Sequence, residues 1–339
     1  MIQKKRVLLP QPIEAEALSM LESAGCEIIV SPDRSPESVF PLMKKANGIV
    51  LRTGIHISRE LLAGADALEV ISRTGGGFDN VDVQAATEKE IIVTSNIGVN
   101  TGSVVEHCLA LMLSLTKQLP VMDLSVRSDQ YSIRYRNLPR DLREKTLGLI
   151  GFGRIGAELG RVCRSAFRMR IVVYDPFLPE AAKAGCSEWA QFVDIDTLFS
   201  MSDIVSIHVP LTEETRHAVG AEQLSKMKPD SLLINTSRGA VIDESALICA
   251  LREKRIGGAG LDVLEQEPPP ADSPLLELEN VILTPHTAAL TRDCVIRMAT
   301  EAARCVNDVF EGREPANVAN REVLKTEKWK HLKNVQCRM

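Results

Sequence analysis

Three polar residues of complementary chemistry stand just past the ends of short apolar runs. Arg238 follows Ser231–Asn235, Glu267 comes after Ala259–Leu261 and Asp262, and His286 follows Val281–Leu283. An open parallel sheet binds ligands outside the carboxyl ends of its strands, so residues placed this way gather at one edge. Histidine gives and takes a proton near neutral pH, its ordinary pKa being roughly 6.5. A carboxylate beside the ring favours the charged imidazole and fixes its tautomer. Arginine grips a carboxylate through two hydrogen bonds and polarises a neighbouring carbonyl. Together they suit interconversion of an alcohol and a ketone next to a carboxylate. Taken singly, each has a plainer reading: His286 as a structural residue at a strand end, Glu267 as a solvated loop acid in Glu265-Gln-Glu-Pro-Pro-Pro, and Arg238 as a surface ion pair.

Such chemistry needs a hydride carrier, and the chain offers a place for one. Gly151-Phe-Gly153-Arg-Ile-Gly156 follows the strand-like Thr146–Ile150 and opens a helix predicted over Ile155–Ala166. In a dinucleotide turn the first glycine permits the tight bend, the second admits a pyrophosphate, and the third lets helix and strand pack closely. The helix N-terminus attracts the negative charge. Asp175 lies nineteen residues beyond Gly156, after Ile171–Tyr174. A carboxylate there accepts both ribose hydroxyls and repels a 2′-phosphate, so NAD is expected rather than NADP. The alternative is a packing turn with no nucleotide.

The elements that must position these residues alternate between β and α. Strands are predicted at Arg6–Leu9, Glu27–Val30, Gly48–Leu51, Glu69–Ser72 and Ile91–Thr94, with helices such as Glu14–Ala24 and Val83–Lys89 between them. A second series runs through Thr146–Ile150, Ile171–Tyr174, Ile204–His208, Leu232–Asn235, Gly258–Leu261 and Val281–Leu283. Continuous Val/Ile/Leu runs indicate strands buried on both faces, hence an α/β fold with two doubly wound parallel-sheet domains. Residues 1–99 with 287–318 are expected to form one domain and residues 100–286 the nucleotide domain, with helix Thr291–Glu311 returning the chain to the first. Thr101–Lys117 reads as a helix apolar nearly all round, thus buried between domains or subunits. The arginine-rich stretch Asp123–Arg143 reads as an irregular arm. Residues 319–339, with Lys325, Lys328, Lys330, Lys333 and Arg338, read as a solvated or frayed basic tail.

The 339 residues are 45% hydrophobic and 25% charged, an ordinary globular composition with room for about two domains. The net charge of −5 argues against nucleic-acid or membrane-surface affinity. No apolar stretch approaches the roughly 20 residues of a bilayer span, and the N-terminus shows no signal-peptide pattern. Eight cysteines scattered singly fit a reducing cytoplasm, with no disulfide framework and no metal site expected.

Several stretches resemble the D-2-hydroxyacid dehydrogenase family, most closely its short D-3-phosphoglycerate dehydrogenases. They are Ser72-Arg-Thr-Gly-Gly-Gly-Phe-Asp-Asn-Val-Asp82, Asn96-Ile-Gly-Val-Asn100 with Glu106-His107, Lys145–Gly156, His208-Val-Pro-Leu-Thr212, Asn235-Thr-Ser-Arg-Gly239, Gly260-Leu-Asp-Val263 with Glu267-Pro268, and Pro285-His286-Thr-Ala-Ala289. The resemblance implies a flavodoxin-like substrate domain and a Rossmann NAD domain. It gives Arg238 the substrate carboxylate and carbonyl oxygen, and Glu267 and His286 the acid–base pair. Arg154 and Ile155 would touch the pyrophosphate, Asp175 the adenosine ribose, Pro210 and Thr215 the adenine and ribose region, and Asp262 the nicotinamide end. The backbone of Gly75, Gly76 and Gly77 would hold the substrate carboxylate, and Arg52 and Arg73 would face a phosphate or second carboxylate. Glu267 favours 2-hydroxy acid chemistry, since formate dehydrogenases of the family carry Gln there. Glu106-His107 is expected to be structural. A homodimer is implied by the long helix and the arm after it. The expected substrate is a 2-hydroxy or 2-oxo acid, best matched by a D-3-phosphoglycerate dehydrogenase-like activity. Glyoxylate or hydroxypyruvate reduction is the alternative, and an NAD-sensing co-repressor-like protein is a rival of another class. The stretch after Val318 is too short for the regulatory domain of longer members, so feedback through such a domain is not expected.

Overall fold

The computed structural model describes residues 4–136 and 138–333. The chain divides into two compact units, one holding Thr101–Ala289 and the other the residues up to Asn100 and from Leu290 onward. Both are α/β.

The first unit opens with β1 (Arg6–Leu9), α1 (Ala15–Ser23), β2 (Glu27–Val30), α2 (Pro36–Met43), β3 (Gly48–Leu51), α3 (Arg59–Leu62), β4 (Val70–Arg73), α4 (Val83–Glu88) and β5 (Ile92–Thr94). The five strands are parallel in the order β2-β1-β3-β4-β5. This is the flavodoxin-like order, with the chain path reversing between β1 and β3. All residues of β3 and β4 are buried, as continuous apolar runs require when both faces are covered. Ser35, Ser58 and Asp82 cap α2, α3 and α4 with their side chains, whereas Glu14 caps α1 without a side-chain bond.

The second unit begins with α5 (Thr101–Thr116) and α6 (Leu119–Arg127). There follow β6 (Thr146–Ile150), α7 (Arg154–Phe167), β7 (Arg170–Tyr174), α8 (Glu180–Ala184), β8 (Ala190–Phe192), α9 (Ile195–Met201), β9 (Ile204–Ile207), α10 (Ala221–Lys226), β10 (Leu232–Asn235), α11 (Glu244–Arg252), β11 (Gly258–Leu261) and β12 (Val281–Leu283). Seven parallel strands run β12-β11-β10-β9-β6-β7-β8. Counted from β6, that is the 3-2-1-4-5-6 order of a dinucleotide fold with one further edge strand. Helix α5 buries Val104, Val105, Cys108, Leu111 and Met112 in this unit's core. Gly260 permits the close approach, since a Cβ there would stand 3.0 Å from Leu111 Cβ.

The arm after α5 is more ordered than its composition suggests. It contains α6 and a 3-10 turn at Tyr131–Tyr135, and an i,i+4 pair of Asp123 with Arg127 at 2.7 Å supports α6. Periodicity missed it because its apolar residues are not buried in this unit. Strand β8 was missed because it has three residues, one of them Gln191.

Helix α12 (Arg292–Phe310) completes the first unit, burying Ala299, Ala302, Ala303 and Val306. The expected frayed tail is instead packed as far as Lys333. Asn320 is fully buried and bonds Val93 N, Ile91 O and Thr87 Oγ1, while Trp329 is 4% exposed and donates to Glu90 O at 2.7 Å. Arg338 lies outside the described residues. Among the described residues no single helix is long and apolar enough to cross a membrane; α5 and α6 pass that test only as a pair bent by 56°.

Candidate active site

Strand β12 ends at Leu283, and the next turn carries His286 at φ +54°, a left-handed conformation that side chains rarely adopt. Asp262, the residue after β11, holds that turn. Its carbonyl accepts the His286 N–H at 2.8 Å. Its Oδ1 accepts from Thr287 N at 2.8 Å and Thr284 Oγ1 at 2.5 Å, and its Oδ2 from Ala288 N at 2.9 Å. The carboxylate is 1% exposed, and only Oδ2 keeps a free lone pair. Thr284 spends its one proton on Asp262, so the 2.9 Å contact to His107 Nε2 must be donated by the imidazole. His107 thus sits on α5 directly behind the His286 turn. Thr284 and Thr287 carry no mark of this network in the sequence. Their partner lies more than twenty residues away, so local pattern carried no signal.

Glu267 follows β11 by six residues, and its Oε2 stands 2.8 Å from His286 Nδ1. Its Oε1 accepts the Leu264 N–H at 3.1 Å. Burial pushes this carboxyl up, but the hydrogen bond and charge of His286, the Leu264 amide and the Arg238 charge outweigh it and hold it below the usual range. Both side chains are about two-fifths exposed, so the pair is reachable by a ligand. Nδ1 is taken by Glu267, which leaves Nε2 as the nitrogen available for a reacting proton.

Arg238 leaves β10 through a turn organised by Asn235. The Asn235 side chain accepts from Ser237 N and Oγ and donates to Arg238 O at 2.9 Å. The guanidinium donates to Ser237 O at 2.7 Å through Nη1. Gly239 lies under the loop carrying Glu267: a Cβ there would be 1.9 Å from Leu264 C and O. Backbone-on-backbone packing therefore brings the Arg238 and Glu267 segments together. A second histidine–carboxylate pair, His217 Nε2 with Glu265 Oε1 at 2.7 Å, fastens the same loop; the sequence reading did not find it.

At β6 the glycine turn has the form its spacing predicted. Gly151 is at φ +89°, and a Cβ would meet His208 O at 2.8 Å. Gly153 faces open space. Gly156 packs so tightly that a Cβ would lie 2.4 Å from Gly151 O. Arg154 and Ile155 form the first turn of α7, Arg154 exposed and Ile155 against the core. Asp175 reaches back over the turn, accepting from Phe152 N at 2.8 Å and Phe177 N at 3.0 Å, with acceptor capacity left on both oxygens. Pro210 and Thr215 belong to one small turn, Thr215 Oγ1 donating to Pro210 O at 2.6 Å. An open second glycine, the N-terminus of a 14-residue helix and a carboxylate with acceptor capacity fit a dinucleotide. Beneath the turn, His208 bonds Ser206 Oγ at 2.9 Å, and burial pushes its pKa down to about 4. Burial also pushes the Cys108 thiol up to about 11.

In the first unit, Arg73 ends β4 and donates from Nε to Gly77 O at 2.9 Å, bracing the Gly75–Gly77 loop. Arg52 follows β3 and pairs with Glu14 at 3.2 Å. Among the described residues no group of three or more His, Cys, Asp or Glu is arranged to hold a metal.

Comparison with known proteins shows which family the chain resembles. Residues 109–288 match the family model described as D-isomer specific 2-hydroxyacid dehydrogenase, NAD binding domain. The chain is 37% identical over 317 residues to a D-3-phosphoglycerate dehydrogenase of Archaeoglobus fulgidus, covering 93% of this chain and 59% of that protein. It is 38% identical over 328 residues to a glyoxylate reductase of Korarchaeum cryptofilum, covering 95% and 98%. The fold superposes on the crystal structure of a D-lactate dehydrogenase from Aquifex aeolicus complexed with NAD and lactic acid, with TM-score 0.81 and 31% identity over 91% of this chain and 96% of that one. The chain thus spans about three fifths of the phosphoglycerate dehydrogenases it matches.

Proposed function

The chain belongs to the D-isomer specific 2-hydroxyacid dehydrogenase family, and on that premise we propose that it is an NAD-dependent oxidoreductase acting on the CH–OH group of D-2-hydroxy acids. The observation that carries this reading is the 2.8 Å pairing of His286 Nδ1 with Glu267 Oε2 in the same unit as the glycine turn.

The nicotinamide, when bound, supplies or accepts the hydride at C2. Everything else falls to side chains. In the oxidative direction neutral His286 takes the hydroxyl proton at Nε2, and the Glu267 carboxylate stabilises the imidazolium that forms. In reduction the protonated ring returns that proton to the carbonyl oxygen. Arg238 grips the substrate carboxylate and stabilises charge developing on the neighbouring oxygen. Gly151, Gly153, Arg154, Ile155 and Gly156 hold the pyrophosphate, and Asp175 the adenosine ribose. Pro210 and Thr215 line the adenine and ribose region. Asp262 offers its remaining lone pair at the nicotinamide end. The first unit contributes Gly75–Gly77 to the substrate carboxylate, with Arg52 and Arg73 toward a further anionic group.

For the substrate, a D-3-phosphoglycerate dehydrogenase-like activity is the leading reading and glyoxylate or hydroxypyruvate reduction the second. The second draws support from glyoxylate reductases matched along almost their whole length. The protein is further read as a homodimer, and as cytoplasmic, a setting that suits its seven free described cysteines. The deciding experiment measures oxidation of NADH and of NADPH with phosphohydroxypyruvate, hydroxypyruvate, glyoxylate, 2-oxoglutarate and pyruvate. Turnover with at least one acid and a preference for NADH are expected. Tight NADH binding with no turnover on any acid would sink the enzymatic reading in favour of a cofactor-sensing protein.

A further inference from the structure

The carboxyl edge of the first unit carries an acid that the proposed chemistry does not use. In the order β2-β1-β3-β4-β5, connections leave β1 and β3 in opposite directions, and an open sheet forms its ligand crevice at such a point. The segments leaving there are Pro10–Glu14 from β1 and Arg52–Gly54 from β3. Across them Arg52 Nη1 stands 3.2 Å from Glu14 Oε1 and 3.3 Å from Pro12 O, and Gln11 Nε2 donates to Thr53 O at 3.3 Å. The ion pair is shielded, its side chains being 27% and 18% exposed. The same edge holds two more guanidinium groups. Arg34 follows β2 and covers Gly54, and Arg73 ends β4 with Nε on Gly77 O. The nearby Asp33 accepts from Ser35 N and Oγ on its Oδ1. Glu14 has no capping bond of its own to make, so its carboxylate is spent on Arg52.

We propose that Glu14 is a specificity-determining residue, which by neutralising Arg52 at the β1/β3 crevice lowers this chain's preference for phosphorylated over unphosphorylated 2-oxo acids. The proposal rests on the dehydrogenase reading above and concerns the far end of the substrate. A phosphate there brings close to two negative charges, and a fixed carboxylate beside the arginine that would meet it weakens the attraction. A hydroxymethyl end feels no such effect.

The test is kcat/KM of the full chain with NADH, for phosphohydroxypyruvate and for hydroxypyruvate, in the wild type, Glu14→Gln, Arg52→Gln and the double variant. Glu14→Gln is expected to raise the phosphorylated-to-unphosphorylated ratio about tenfold at low ionic strength, and less in high salt. Arg52→Gln should lower the ratio, and the double variant should show no gain over Arg52→Gln. A ratio in Glu14→Gln that stays within twofold of wild type, or falls, overturns the proposal. Thermal unfolding unchanged from wild type identifies such a result as a property of the folded protein. Should neither acid support turnover in the wild type, the dehydrogenase reading fails separately only if glyoxylate, 2-oxoglutarate and pyruvate are not turned over either. The role of Glu14 is then decided by calorimetric Kd values for 3-phosphoglycerate and glycerate, with the same tenfold change of ratio expected and an unchanged ratio fatal.

Discussion

His286 occupies backbone that costs an L-residue of order 1–3 kcal/mol, and it stays there because its surroundings over-determine it. Asp262 supplies most of that constraint, taking the Thr287 and Ala288 amides on its carboxylate and the His286 amide on its carbonyl. The acid–base role proposed for His286 therefore depends on a buried acid that keeps the imidazole at Glu267. His286→Ala should lower kcat by roughly 10³-fold while NADH binding stays nearly intact, the range for losing a general acid–base group. Asp262→Asn turns one acceptor oxygen into a donor facing backbone N–H groups. It should lower kcat about 100-fold with the NADH Kd within about fivefold. Because both act through one ring, the double variant should lose no more than His286→Ala alone. Steady-state kinetics and fluorescence titration of the four proteins check this. Multiplicative losses would mean that Asp262 acts elsewhere.

At the scale of elements, the glycine turn shows what a sequence can and cannot announce. Gly151, Gly153 and Gly156 were legible because backbone geometry dictates their identity, and Arg238, Glu267 and His286 because each lies a few residues past the end of a strand. His208 was not legible as a support for that turn, since the strand that delivers it lies more than fifty residues downstream of Gly151 and its role depends on burial. That burial has a consequence for stability. The folded pKa of about 4 lies below the roughly 6.5 of an unfolded histidine, so between those values the unfolded chain binds the extra proton. Stability associated with His208 is therefore full above pH 6.5 and is lost as pH falls toward 4. Between pH 7 and 5 the loss is at most about 2 kcal/mol, the partial exposure of the ring reducing it further. The chain has two tryptophans, so in a Trp329→Phe background Trp189 reports the second unit alone. Urea unfolding followed at pH 7 and 5 should show this drop, and His208→Gln should remove it. Parallel losses in the two proteins would count against a neutral buried imidazole.

For the molecule as a whole, the two-unit plan was readable from alternating β and α runs, but two segments were misjudged for one reason: composition hides which side chains are covered. The lysines after Val318 suggested solvent, yet Asn320, Val323 and Trp329 pin that segment to the first unit. The arginines after Thr116 suggested an irregular arm, yet α6 forms there with the opposite outcome for its apolar residues. Leu119, Leu124 and Val126 on α6 are each more than half exposed, and Tyr131 and Tyr135 on the following turn are 61% and 72% exposed. Scattered single exposures need no explanation, but five large apolar or aromatic side chains within seventeen residues, those on α6 lying on more than one side of it, leave this segment more apolar than water favours. In a two-fold dimer the same segment serves both partners, so one pair of substitutions is felt twice. Leu124→Asp with Val126→Asp places four charges at such an interface. Light scattering of the wild type at micromolar concentration is expected to give twice the 37.2 kDa chain mass, and the double variant a single chain mass with its NADH-binding unit still folded. A wild type that is monomeric under these conditions, or a double variant that still pairs, would remove α6 from the assembly and leave its exposed side chains to another partner.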